Sequence, residues 1–219
     1  DTSALYRFDA AKNAPGELVA AHPHVDLVSG LVYDRRTQRV VRLRYEGARP
    51  GYAWFDEEWA RIAASVDRAL PGRHHDFARG GNRVLIHSFA DVDPGAWHLY
   101  DLDRRQLEFI ASGRKAIRPE TMPKREPVRY PARDGLEIPA YVTLPPGREA
   151  KRLPLVLYVH GGPWVRGATW AWRDEPAFLA AQGYAVLEPE FRGSVGFGRR
   201  LFQSGWRQWG RAMQDDLIA

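Results

Sequence analysis

In the stretch LPLVLYVHGGPW, residues 153–164, a seven-residue apolar run meets a histidine, two glycines and a proline. A continuously apolar strand suits burial on both faces of a parallel sheet. Its exit carries two residues that cost backbone entropy on folding, and two positions with no Cβ let a ligand or another backbone approach closely. Downstream, Asp174 and Pro176 open a helix carrying Phe178 and Leu179, Gly183 closes it, and YAVLEPE reads as a second buried strand. Upstream, GLEIPAYVTLPPG alternates, with Leu136, Ile138, Ala140, Val142 and Leu144 on one side and Pro145-Pro146 as the stop. Strand, glycine loop, helix, strand is an α/β unit, whose ligands gather at the carboxyl ends of its strands.

The first part of the chain has a different texture. An aromatic-Asp pair closes a short strand at Phe8-Asp9, Tyr33-Asp34 and Tyr100-Asp101, and in the last two a hydrophobic strand resumes seven residues after the aromatic, at Val40 and Leu107. Short strands joined by polar turns indicate a sandwich or propeller blades, although the spacing is too irregular to define a repeat. One helix interrupts them. In FDEEWARIAASVDRALPG, Trp59, Ile62, Ala63, Val66 and Leu70 share a face, Asp56 caps the start and Pro71-Gly72 stops it. Glu57 and Glu58 in its first turn suit the helix dipole; they are also candidates for binding the ammonium group of a substrate. Residues 112–127, rich in proline and charge, read as a linker, which gives three parts: 1–111 with a helical insertion near 56–70, the linker, and 128–219.

The chain of 219 residues carries a formal net charge of +5, with a pI near 9.6. Only Lys12, Lys115, Lys124 and Lys151 are lysines, and the arginines lie scattered among acids. That lacks the clustering of a phosphate footprint, so no nucleic-acid partner is expected. No apolar stretch approaches the roughly 18 residues of a membrane helix, and none reads as a signal segment, so no membrane partner is expected either. The absence of cysteine excludes disulfides and thiolate metal sites and leaves the compartment open. His22/His24 and His74/His75 are close enough in sequence to suggest a metal, but no third ligand is in register, and they read as solvent-exposed loop histidines. No metal or cofactor is expected, and oligomeric state has no sequence signal. Asp1 is not an initiator and RAMQDDLIA stops without an exit signal, so the stretch reads as a segment of a longer protein.

Acyl transfer builds negative charge on a carbonyl oxygen, and preset backbone N–H groups stabilise it, each worth about 3–4 kcal/mol of barrier. In the α/β-hydrolase arrangement one such donor comes from the loop between the third strand and the following helix, the place that HGGP occupies here. A glycine turn that merely joins strand to helix is the other reading of those four residues. YVHGGPW, GYAVLEPEFRGSVGFG and MQDDL, in that order, resemble the prolyl-oligopeptidase family of serine peptidases, especially its acylaminoacyl-peptidase-like bacterial branch. RYPARDGLEIPAYVTLPPG is similar to the start of that family's hydrolase domain, and the helix segment and DVDPGAWHLYDLD to the closing blades of its propeller.

The resemblance implies incomplete propeller blades followed by the truncated N-terminal half of an α/β hydrolase, and a full-length enzyme that cleaves short or N-blocked peptides through an acyl-enzyme. It makes Gly162 the backbone oxyanion donor, with His160, Gly161, Pro163 and Arg192 supporting the loop. Arg192 pairs with a carboxylate such as Asp215 or Asp216. In the prolyl-oligopeptidase and dipeptidyl-peptidase branches a tyrosine stands where this chain has His160, a departure that favours the acylaminoacyl-like branch. Trp164, Trp170 and Trp172 are candidates to line the mouth of the site, with loop packing as the other role. The nucleophile, triad acid and triad base are expected outside this stretch. RGSVG has Arg192 where the G-x-S-x-G elbow needs its first glycine, and Ser3, Ser29, Ser65, Ser88, Ser112 and Ser204 lie in no such context. The stretch alone is expected to be inactive. A carboxylesterase-like hydrolase and a non-catalytic propeller interaction protein are the alternatives.

Overall fold

One turn chemistry closes three hairpins. The computed structural model describes residues 2–219 apart from 28, 29 and 36, so Asp1 and Ser29 lie outside the described residues. In each hairpin an aspartate ends the first strand, its carboxylate accepts backbone amides two or three residues on, and the fourth residue after it takes a left-handed conformation. Asp9 holds Ala11 and Lys12, Asp34 holds Thr37, and Asp101 holds Asp103 and Arg104. Asn13, Gln38 and Arg105 have φ of 49°, 54° and 53°. Register follows: Phe8 pairs with Pro15, Tyr33 with Val40 and Tyr100 with Leu107. Asp side chains mimic a backbone turn in this way. The three hairpins thus share a turn that their irregular spacing conceals.

These hairpins belong to three sheets. β1 (Leu5–Asp9) and β2 (Ala14–Ala20) form the first. β3 (Leu31–Asp34), β4 (Arg39–Glu46) and β5 (Pro50–Trp54) form the second. β6 (His74–Gly80), β7 (Arg83–Ala90), β8 (Asp93–Asp101) and β9 (Gln106–Ser112) form the third. All pairs are antiparallel, and the four-stranded meander β6–β9 is consistent with a propeller blade. α1 (Glu57–Ala69) has Asp56 as its cap, the carboxylate accepting from Trp59 N at 3.0 Å. Its buried face, Trp59, Ile62, Ala63 and Val66, is the one the heptad-like spacing indicates. Trp59, Ala63 and Val66 join Val41, Phe77, Val84 and Ile86 in one core between the second and third sheets. Arg42 is buried there, its guanidinium 5.0–5.7 Å from the rings of Tyr52, Trp54, Trp59 and Phe77.

His74 and His75 are not exposed loop residues. They open β6 and both are buried, at 8% and 2% exposure. Successive strand residues face opposite ways, and both faces are covered: His74 stacks on Tyr52 of β5, while His75 lies 3.5 Å from Asp67 of α1. Burial, with His74 and Arg73 nearby, pushes the His75 pKa down to about 4, so the ring is neutral. His24 is exposed and His22 intermediate. Among the described residues no group of three or more His, Asp or Glu side chains could hold a metal, and no helix is long and apolar enough to cross a membrane.

The fourth sheet is mixed. Its order is β10 (Arg125–Pro131), β11 (Glu137–Thr143), β13 (Ala185–Pro189), β12 (Leu155–Leu157), with only β12 and β13 parallel. β10 begins inside the stretch expected to be linker, because Arg125, Glu126 and Pro127 already pair with Thr143, Val142 and Tyr141. The connection from β12 to β13 runs through the glycine loop and α2 (Asp174–Ala181); α3 (Arg199–Ser204) and α4 (Ala212–Leu217) follow. Two strand expectations are corrected. β11 is buried on both faces, Tyr141 and Thr143 as well as Ile138 and Ala140, because Tyr141 packs under Trp170 and Ala168. The apolar run 153–159 yields only a three-residue strand at the sheet edge, with Leu155 60% exposed, because among the described residues no strand pairs with its outer side.

Candidate active site: a glycine loop held by buried charge

β13 and its continuation, LEPEFRGS, carry Glu188, Glu190 and Arg192 at spacings of two, which places the three side chains on one side of an extended chain. All are buried, at 2%, 0% and 7% exposure. A buried charge is tolerated only when it is paired and hydrogen-bonded, and each of these is. Glu188 pairs with Arg125 of β10 and lies 3.0 Å from Arg173, which also donates to Gly167 O at 3.3 Å. Glu190 accepts Gly167 N at 2.9 and 3.1 Å and Ala168 N at 2.6 Å. Arg192 donates through Nε and Nη2 to Asp216 at 2.7–3.1 Å and through Nη1 and Nη2 to Asp134 at 2.9 and 3.0 Å. Hydrogen bonding to Asp216 outweighs burial and raises the Arg192 pKa above its ordinary value. Its partner is Asp216; Asp215 instead lies 3.6 Å from Arg133.

His160 sits where the loop leaves the sheet. Its ring stacks on Phe191 at 4.6 Å and contacts three acceptors: Gly161 O at 2.8 Å from Nδ1, and Ser194 Oγ at 3.2 Å and Glu190 Oε2 at 3.4 Å from Nε2. Burial alone would lower its pKa, but the Glu190 carboxylate and the Gly161 carbonyl outweigh burial and raise it. Ser194, His160 and Glu190 have the residue types of a nucleophile relay without its geometry. A relay needs serine and acid on opposite ring nitrogens; here one nitrogen faces both, the other bonds backbone, and Ser194 is fully buried.

Gly162 has φ +136°, and a Cβ there would stand 2.8 Å from Val165 Cγ2 and 3.2 Å from Trp164 N. Only glycine fits. Gly161 differs: a Cβ would meet nothing within 4 Å, so packing does not demand its glycine. The Gly162–Pro163 peptide is cis. Among the described residues the Gly162 N–H donates to no protein acceptor. An unbonded amide at the carboxyl end of a strand can stabilise an anion. A cavity of about 270 Å³ lies at the start of the loop, lined by Tyr158, His160, Gly161, Gly167, Arg173 and Glu188 but not by Gly162.

Trp164 is half exposed, 5.5 Å from Trp209. Trp170 is no mouth residue; at 3% exposure it packs with Ala90, Tyr141 and Ala168, under Arg49 at 4.7 Å. Trp172 has a buried indole nitrogen and lies under Arg114 at 5.0 Å. Glu57 and Glu58 are exposed on α1; Glu58 pairs with Arg79 at 3.3 Å, and among the described residues no hydrogen bond or ion pair joins either glutamate to residues 158–164. Arg166, just past the loop, crosses to the first region, donating to Glu46 O at 2.8 Å and Gly47 O at 3.1 Å. Sequence reasoning missed Glu188, Glu190 and Asp134. The available signal was two acids inside an otherwise apolar strand.

Residues 170–219 match the family model described as the prolyl oligopeptidase family. The whole chain aligns with dipeptidyl aminopeptidase BIII of Pseudoxanthomonas mexicana, 34% identical over 228 residues. The chain belongs to the prolyl oligopeptidase family. It spans 32% of that relative's length, and 21% of the dipeptidyl peptidase family member 6 of Caenorhabditis elegans, which is 31% identical over 156 residues, 62% of this chain. Among solved structures, the dipeptidyl peptidase 4 of Porphyromonas gingivalis superposes with a TM-score of 0.66 at 17% identity, covering 99% of this chain and 31% of that one.

Proposed function

We propose that this stretch supplies the oxyanion loop of a serine-type peptidase whose nucleophile lies outside residues 1–219. In this reading the chain through β9 forms propeller blades, the residues between Ser112 and Arg125 a connection, and the part from β10 onward the first half of an α/β-hydrolase domain. The observation that carries it is the Gly162 amide, without an acceptor among the described residues and in a conformation and a space that admit only glycine. A connecting turn has no need of that combination.

In this reading the residues take the following roles. Substrate binds with its scissile carbonyl oxygen toward Gly162 N–H, which stabilises the charge that develops as a serine attacks, and the acyl-enzyme is then hydrolysed. His160 braces the loop as a donor and gives no proton to substrate. Arg192 holds the chain after β13 against α4 and does not touch substrate. Trp164, half exposed beside the loop, flanks the bound peptide. The relatives' names point to release of dipeptides, and Glu57, exposed and without an ion pair among the described residues, is then the carboxylate available to a free amino terminus.

Turnover of dipeptidyl, acyl-alanyl and p-nitrophenyl ester substrates by the full-length protein tests the reading. Dipeptidyl anilides are expected to be hydrolysed best. Ester turnover without amide turnover would favour an esterase, and no turnover of any substrate, with no labelling by a fluorophosphonate, would favour a non-catalytic propeller protein.

A further inference from the structure

Glu190 grips the glycine loop on both sides of Gly162. Before it, Glu190 Oε2 faces His160 Nε2, and the opposite ring nitrogen of His160 holds Gly161 O. After it, the carboxylate takes the amides of Gly167 and Ala168. The fit is tight. A Cβ on Gly167 would fall 2.1 Å from His160 Cδ2, so the two flanks of the loop touch where the carboxylate joins them. Among the described residues no other side chain reaches both flanks through hydrogen bonds or ion contacts. Burying an ion is costly unless donors surround it, and here every donor to Glu190 belongs to this loop.

We propose that Glu190 is the positioning residue of the oxyanion loop: its carboxylate ties His160 to Gly167 and Ala168, and so fixes the direction of the Gly162 N–H before substrate arrives. The proposal rests on the oxyanion reading of the loop. Charge matters because every neighbour is a donor. A carboxylate offers two acceptor oxygens, whereas a glutamine of the same size turns an NH2 toward a backbone N–H or the imidazole. One flank is then released while the fold around β13 keeps its shape.

The experiment uses the full-length protein with two ligands. A peptide aldehyde adds the nucleophile and forms a tetrahedral adduct whose oxygen occupies the oxyanion position. The matching product peptide binds without making one. For Glu190→Gln, aldehyde affinity is expected to fall about 10-fold or more, product affinity to stay within about twofold, and kcat to fall with KM nearly unchanged. Glu190→Asp, which keeps the charge, should retain more aldehyde affinity than Glu190→Gln. His160→Gln, at the more exposed end of the contact, should lower aldehyde affinity by a smaller factor while leaving product affinity within about twofold, and it carries the test if the Glu190 variants do not fold. Parallel loss of aldehyde and product affinity, or wild-type behaviour of Glu190→Gln, would overturn the proposal. A wild-type protein that neither binds the aldehyde nor cleaves peptides would overturn the oxyanion reading beneath it.

Discussion

The two regions bury polar groups in opposite ways. In the first, among the described residues, Arg42 is caged by four aromatic rings with no hydrogen bond to its Nε and Nη1, and the His75 ring nitrogens, Ser88 Oγ and His98 Nδ1 are buried without a hydrogen bond, His75 Nε2 lying 3.5 Å from Asp67. Burial pushes the pKa of His75 down to about 4 and lowers that of His98. In the second, Glu188 is buried against Arg125 and Arg173, Glu190 against the amides of Gly167 and Ala168, and Arg192 between Asp134 and Asp216. Burial among aromatic rings suits a scaffold, whose task is to fill space. Ionic burial is costlier and directional, and it occurs where a loop must hold one conformation.

The contrast can be tested at several sites. The largest expected effect is Arg192→Ala, which leaves Asp216 charged and fully buried; removing one partner of such a pair costs about 3–5 kcal/mol, readable as a lower denaturation midpoint. A loss below about 1 kcal/mol would mean that the ionic ladder is dispensable. Gly162→Ala in the full-length protein should cut kcat about 100-fold or more, because the added Cβ meets Val165 and the φ of +136° is strained. An unchanged rate would detach this loop from the chemistry. In the first region the relevant variable is pH. The folded-state pKa of His75, about 4, lies below the ordinary 6.5. The unfolded chain therefore binds the proton first, and stability should fall as pH drops from 6.5 toward 4, by roughly 1–3 kcal/mol. His75→Phe should flatten that slope; if the slope persists, another group is responsible. The smallest effect is local. Asp101→Ala frees the amides of Asp103 and Arg104, and hydrogen exchange should accelerate there while β6 and β7 stay protected.

Much of this was legible in the chain itself, for identifiable reasons. α1 was readable because cap, apolar stripe and Pro-Gly stop all agree locally. The aromatic-Asp pairs marked true strand ends, since an Asp turn depends on residues within four positions. The glycine loop was readable because a missing Cβ leaves a mark in sequence. What escaped depended on partners far along the chain. Nothing local tells that His74 and His75 are covered on both faces by β5 and α1, or that Trp170 packs against Ala90 and Tyr141. Glu190 escaped for the same reason. Its amide partners lie 22 and 23 residues upstream, and an acid after a proline in a strand looks like a surface residue until its neighbours are known.

The central claim concerns one nitrogen. A structure of the full-length protein with a peptide aldehyde bound would show where the tetrahedral oxygen rests. The account expects that oxygen 2.7–3.1 Å from Gly162 N, with the covalent bond to a serine beyond residue 219. An adduct on Ser194, or a Gly162 N–H turned away and bonded within the protein, would contradict it.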